Sequence, residues 1–153
     1  MPRWEEIPNI DLYMDQVLNY IENTLKDYIK IESDEKIITK TMVNNYVKQE
    51  ILESPVNKKY NKLNIAKLFV ICILKQVYSI GEIKNLINYA LKKATPESVY
   101  NSFGYLLEEL LKSTFNHTEF PHKNNLTQEQ YLLQIVVQSI ANKLYALSNL
   151  SEM

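Results

Sequence analysis

The chain has 153 residues, 46% of them hydrophobic and 23% charged, with a formal net charge of −1. That is enough for one domain, or one domain and an extension, around a real core. Two glycines and five prolines argue against a loop-rich or all-β protein, and one cysteine excludes an internal disulfide framework.

The start, MPRWEEIPNID, has no apolar signal core, so a cytoplasmic protein is expected. Trp4, Ile7 and Pro8 give an N-terminal arm with an apolar side. From Ile10, the residues Met14, Val17, Ile21, Leu25 and Tyr28 predict an amphipathic helix capped by Asn9 or Asp11. An acidic linker, Glu32-Ser33-Asp34-Glu35, leads to ITKTMVNNYVKQEIL. There Thr39 or Thr41 is the expected N-cap, and Val43, Tyr46, Val47 and Ile51 form the inward face. Lys40, Thr41, Asn44, Asn45, Lys48 and Gln49 are left pointing out. Amide side chains pair with the N6 and N7 edge of adenine, and lysines neutralise phosphate. An ordinary polar surface helix presents the same pattern.

In Ser54-Pro55-Val56-Asn57-Lys58-Lys59-Tyr60-Asn61, Pro55 and Asn57 stop the helix and predict a turn with Lys58 and Lys59 at its tip. Asn61 then caps a long helix whose wide apolar face holds Ile65, Leu68, Phe69, Cys72, Ile73 and Gln76. Cys72 reads as a buried structural thiol. The apolar run Leu68 to Leu74 is far shorter than the roughly 20 residues that span a bilayer, so no membrane association is expected. Ser79 and Glu82 make a capping box, followed by Ile80, Ile83, Leu86, Ile87 and Leu91. Thr95-Pro96-Glu97 starts another helix, with Val99, Phe103, Leu106, Leu107, Leu110 and Leu111 as its stripe. A polar loop, Asn116 to Asn125, precedes a second capping box at Thr127 and Gln130. In the last helix Leu133, Val137, Ile140, Leu144 and Leu147 alternate spacings of four and three, as in a coiled-coil seam. Dimerisation through this end is expected, with packing inside the chain as the alternative.

Charge is unevenly spread. Residues 1–35 carry −6, residues 36–93 carry +8 and residues 94–153 carry −3. The positive segment is the one with the helix-and-turn pattern, which favours a polyanionic partner there. Catalytic or metal chemistry is not expected. His117 and His122, with Glu119 between them, fit no fixed zinc spacing. Gly81 and Gly104 are isolated in helical patterns, so there is no phosphate-binding loop. Glu108 and Glu109 diverge by about 100° on a helix.

MVNNYVKQEIL, then KKY, a long helix and YSIGEIKNLI resemble the MerR group of regulators. In that group the recognition helix ends in a Tyr-containing segment, the wing ends in a basic-Tyr pair, and a Ser-x-x-Glu-Ile-Lys helix closes the domain. IPNIDLYMDQV, ITKTMVNNYVKQ and PVNKKY resemble more closely, over residues 4 to about 95, a bacterial family catalogued as a domain of unknown function. Two positions depart from the MerR pattern. Asn44 and Asn45 stand where an Arg beside a Tyr is usual, and Glu50 stands where a Gly usually ends the recognition helix.

The expected fold is all-α: a winged helix-turn-helix, MerR-like, with a small wing hairpin plus C-terminal helices. Residues 1–95 would hold the arm and winged unit, and residues 96–153 the dimerising helices. The expected function is a non-enzymatic, homodimeric transcriptional regulator reading duplex DNA through helix 41–50 and wing 55–60. Its DNA-binding residues would be Lys40, Thr41, Asn44, Asn45, Lys48, Lys58, Lys59 and Lys62, with no metal or cofactor. The alternative is a protein-interaction module on the same scaffold. A third reading is a ligand-sensing bundle with a pocket among Phe103, Leu107, Tyr131 and Ile135.

Overall fold

The computed structural model describes residues 1–29, 35–120 and 124–150. Among these the chain is mostly helical, with one two-stranded antiparallel sheet. It divides into two compact units, Met1–Ile73 and Leu74–Met153. The linker residues Glu32, Ser33 and Asp34 lie outside the described residues.

The first unit opens with a single 3-10 turn, Trp4–Glu6, in which the Glu6 carboxylate accepts the Arg3 N–H at 3.0 Å. Ile7 follows and is buried. Strand β1 is Leu12–Tyr13, and helix α1 is Met14–Leu25. The expected start near Ile10 is therefore too early, and Ile10 is exposed. The backbone of Leu12 and Tyr13 is extended because it pairs with Lys59–Tyr60, strand β2. Helix begins only where that pairing stops, and Gln16 Oε1 accepts the Tyr13 N–H at 2.9 Å. Val17, Ile21 and Leu25 form the buried stripe of α1.

Helix α2 is Lys40–Lys48. Thr39 is its N-cap, its hydroxyl accepting the Met42 N–H at 3.2 Å. Its C-terminus closes with two reversed hydrogen bonds, Glu50 N–H to the Val47 carbonyl and Ile51 N–H to the Tyr46 carbonyl, both 3.0 Å. This is a Schellman closure, which needs a left-handed residue after the helix, and Glu50 takes it at φ 62°. Helix α3, Lys62–Leu74, is capped by Asn61, whose Oδ1 accepts the Asn64 N–H at 2.9 Å. Ile65, Leu68, Phe69, Ile71 and Cys72 of α3 are fully buried, and the Tyr20 ring meets Phe69 edge-on at 5.4 Å.

In the second unit, α4 is Ile80–Lys93, α5 is Pro96–Phe115 and α6 is Gln128–Leu150. Both expected capping boxes form. Ser79 N–H donates to Glu82 Oε1 at 2.8 Å, and Thr127 N–H donates to Gln130 Oε1 at 3.0 Å. The Ser79 hydrogen bonds hold the Glu82 carboxyl below its usual range. Thr95 caps α5 with Pro96 in its first turn. Tyr100, Phe103, Leu107 and Leu110 of α5 and Val136, Val137, Ile140 and Ala141 of α6 are buried, and the two helices pack on each other. Of the expected seam on α6, Val137 and Ile140 are taken up by this packing within the chain, whereas Leu147 is exposed. Tyr78 and Ser139 join side chains at 2.9 Å, and Lys93 pairs with Glu129 at 3.7 Å.

Candidate nucleic-acid interface

Amphipathicity sets what α2 presents. With 3.6 residues per turn, Val43 and Tyr46 point into the unit and are buried, while Val47 is half-buried. Lys40, Thr41, Asn44, Asn45, Lys48 and Gln49 are all exposed. Lys40, Asn44 and Lys48 form one row at four-residue spacing, and Thr41, Asn45 and Gln49 form the row beside it.

Three long-range contacts hold this helix from behind. The Glu22 carboxylate, on α1, accepts the Ile37 N–H with both oxygens at 3.1 Å and the Ile38 N–H at 3.2 Å. It thereby fixes the chain just before the Thr39 cap. Beyond α2, the Asn64 side chain acts as a backbone substitute. Its Oδ1 accepts the Glu53 N–H at 3.2 Å and its Nδ2 donates to the Glu53 carbonyl at 3.0 Å. Lys67 Nζ donates to the Ile51 carbonyl at 3.4 Å. Neither Glu22 nor Asn64 stood out in the sequence. Each sits at an unremarkable helical position, and its partner is distant along the chain.

The turn at residues 56–59 is a two-residue hairpin. Val56 and Lys59 exchange both backbone hydrogen bonds at 3.0 Å, and Asn57 and Lys58 have φ of 53° and 64°. Positive φ at both central positions is the type I′ signature, whose twist suits a hairpin. The longer pairing of this segment is with β1, in the register Leu12↔Tyr60 and Tyr13↔Lys59. The hairpin is therefore stitched to the N-terminal segment and its Tyr60 is buried.

The hairpin lysines differ in setting. Lys58 is exposed at the tip. Lys59 Nζ lies over the Tyr13 ring, 5.0 Å from its centroid. Lys62 Nζ lies 5.3 Å from the Trp4 centroid and donates to Asn9 Oδ1 at 3.2 Å. These cation–π contacts hold the lysine stems in place. Two carboxylates, Glu50 and Glu53, are exposed after α2.

Residues 2–103 match the family described as a domain of unknown function (DUF1836). The chain belongs to that family. The match takes in nearly all of the first unit, with α2, the hairpin and all eight lysine, threonine and asparagine candidates, and runs through α4 into α5. No curated protein and no solved structure matches the chain.

Elsewhere, the described residues contain no cluster of three or more His, Cys, Asp or Glu side chains able to hold a metal. His117 closes α5 in a left-handed conformation at φ 57°, and its Nε2 lies 2.7 Å from the Tyr145 hydroxyl. His122 lies outside the described residues. Of the four residues expected to line an apolar pocket, Phe103 and Leu107 are buried, but Tyr131 and Ile135 face solvent. An open groove lies elsewhere, lined by Ser113, Thr114, His117, Thr118, Glu119, Phe120, Gln138 and Asn142, and its surface is mixed polar and apolar. No helix among the described residues is long and apolar enough to cross a membrane.

Two expectations follow from α2 itself. A β-carbon at φ 62° costs about 1 kcal/mol that glycine avoids. Glu50→Gly is expected to raise the stability by up to about 1 kcal/mol after the added freedom of the unfolded chain is counted, read as a higher urea midpoint. An unchanged or lower midpoint would mean that Glu50 is not strained. The Tyr46 phenol is pushed up to about 12, first by burial and then by Cys72 beside it. The unfolded chain ionises this group near pH 10.0 and the folded chain near 12. Stability is thus full below pH 10 and is lost as pH rises toward 12. Tyr46→Phe is expected to flatten this alkaline loss relative to wild type in urea midpoints taken across that range.

Proposed function

We propose that this protein is a non-enzymatic, DNA-binding transcriptional regulator built on a MerR-like winged helix-turn-helix, in which α2 enters the major groove and the hairpin acts as the wing. The observation that carries the reading is the outward face of α2, Lys40, Thr41, Asn44, Asn45, Lys48 and Gln49, held from behind by Glu22 and Asn64 and followed by a lysine-tipped hairpin. Lys40, Lys48, Lys58, Lys59 and Lys62 are assigned to phosphate, and Thr41, Asn44 and Asn45 to bases. A cytoplasmic homodimer, formed through the C-terminal helices 96–153, would present two copies of α2 to successive grooves. Binding of this kind needs no metal or cofactor.

The test is fluorescence anisotropy with random duplex DNA across a salt series. Affinity that falls steeply with log salt supports phosphate contacts. Lys58→Ala with Lys59→Ala is expected to weaken binding to every sequence and to lower the salt slope by about 1 for each phosphate no longer neutralised. An unchanged slope would remove the hairpin from the interface.

A second reading, a protein-interaction module on the same scaffold, is favoured by the exposed apolar side chains of α6. Tyr131, Leu132, Ile135, Leu147 and Leu150 are all open, and Glu50 and Glu53 oppose a polyanion. Absence of DNA binding at low salt, with capture of a protein through α6, would select it.

A further inference from the structure

We infer that the α2 face selects A·T over G·C base pairs, with Asn44 and Asn45 as the residues that set the preference. This rests on the DNA-binding reading above and names the sequence class it would recognise.

The two lysines of α2 are its first and last residues, Lys40 and Lys48. A helix of 9 residues is about 13 Å long, close to the roughly 12 Å width of the major groove. Side chains at its two ends therefore reach the phosphate walls more readily than the floor. What lies between them and is exposed is Thr41, Asn44 and Asn45. The Asn61 and Asn64 amides are committed to holding the backbone, but Asn44 and Asn45 stand on the open face.

An amide presents one donor and one acceptor side by side. Adenine offers the complement, the N7 acceptor and the N6 donor, whereas guanine offers two acceptors, N7 and O6, so an amide against guanine sets oxygen against oxygen. Arginine is the side chain best matched to guanine, and the only one here is Arg3, in the N-terminal arm. Asn44 and Asn45 are about 100° apart round the helix, so they address neighbouring base pairs rather than one.

The experiment uses the full chain and equal-length duplexes of alternating A·T, alternating G·C, and A·T carrying 7-deazaadenine, all at one salt concentration. The deaza base keeps its pairing and its minor groove but lacks the N7 acceptor. The A·T duplex is expected to bind at least about fivefold more tightly than G·C, and the deaza substitution to abolish that margin. Asn44→Ala with Asn45→Ala should bind all three duplexes alike. Equal wild-type affinity for A·T and G·C, a preference for G·C, or an A·T margin that survives either the deaza base or the double substitution overturns this inference and leaves DNA binding standing. No binding to any duplex at low salt overturns both.

Discussion

Glu22→Ala is expected to lower the stability of the protein by about 2–3 kcal/mol, a large effect for one half-buried side chain. The carboxylate accepts two backbone N–H groups, from Ile37 and Ile38, whose side chains are both 2% exposed. Alanine would leave those donors facing a cavity on α1 while their side chains stay anchored in the core. Charge-assisted hydrogen bonds of this kind are stronger than neutral ones, and the unsatisfied donors carry the desolvation cost. Glu22→Gln keeps one acceptor oxygen and should recover part of the loss. Urea midpoints give the magnitude, and amide exchange at Ile37 and Ile38 shows where the opening begins. A midpoint for Glu22→Ala within a few tenths of a kcal/mol of wild type would mean that the clamp contributes nothing net.

Asn64→Asp is the companion experiment, expected to cost about 3 kcal/mol or more, against about 2 kcal/mol for Asn64→Ala. The native amide is 2% exposed and satisfies both polar groups of Glu53, donating to its carbonyl and accepting from its N–H. A carboxylate retains the acceptor but turns its second oxygen against the Glu53 carbonyl, and it brings a buried charge with no partner. The sign of the pH response separates this explanation from simple loss of packing. Lowering the pH protonates the new carboxyl and restores a donor, so the deficit of Asn64→Asp relative to wild type should shrink in acid. Under the packing explanation it would stay constant. Under the proposed DNA-binding role, loss of binding in either variant while the fold persists would mean that the posture of α2 and its hairpin matters beyond its charge.

These two anchors bear on how far the sequence could be read. Hydrogen bonds between residues three apart were legible, because the two partners sit in one short string. Of the two expected caps Thr39 and Thr41, Thr39 takes the role, and the Asn61 cap, the Ser79–Glu82 and Thr127–Gln130 boxes and the Thr95-Pro96 start form as their spacing predicts, whereas α1 is capped at Tyr13 and not at Asn9 or Asp11. The inward face of α2 was legible for the same reason, since one helical period sorts Val43 and Tyr46 from Lys40, Asn44 and Lys48. A turn at Asn57–Lys58 followed from its residue types, although its positive φ at lysine did not.

Pairings between distant segments arise only in the folded chain. Leu12 and Tyr13 carry a helical pattern yet are extended, because Lys59 and Tyr60 offer their backbone groups a partner. The α6 seam has coiled-coil spacing, yet Val137 and Ile140 are buried within the chain while Leu147 stays open. Glu22 and Asn64 look like ordinary helix residues until Ile37, Ile38 and Glu53 are brought beside them. The physical reason is the same in each case. Caps and stripes are governed by local geometry, whereas a strand partner or a buried acceptor is chosen by whichever distant group the folded chain leaves unsatisfied. Local sequence thus sets the helices and the face that α2 offers, and tertiary contacts set how firmly that face is held.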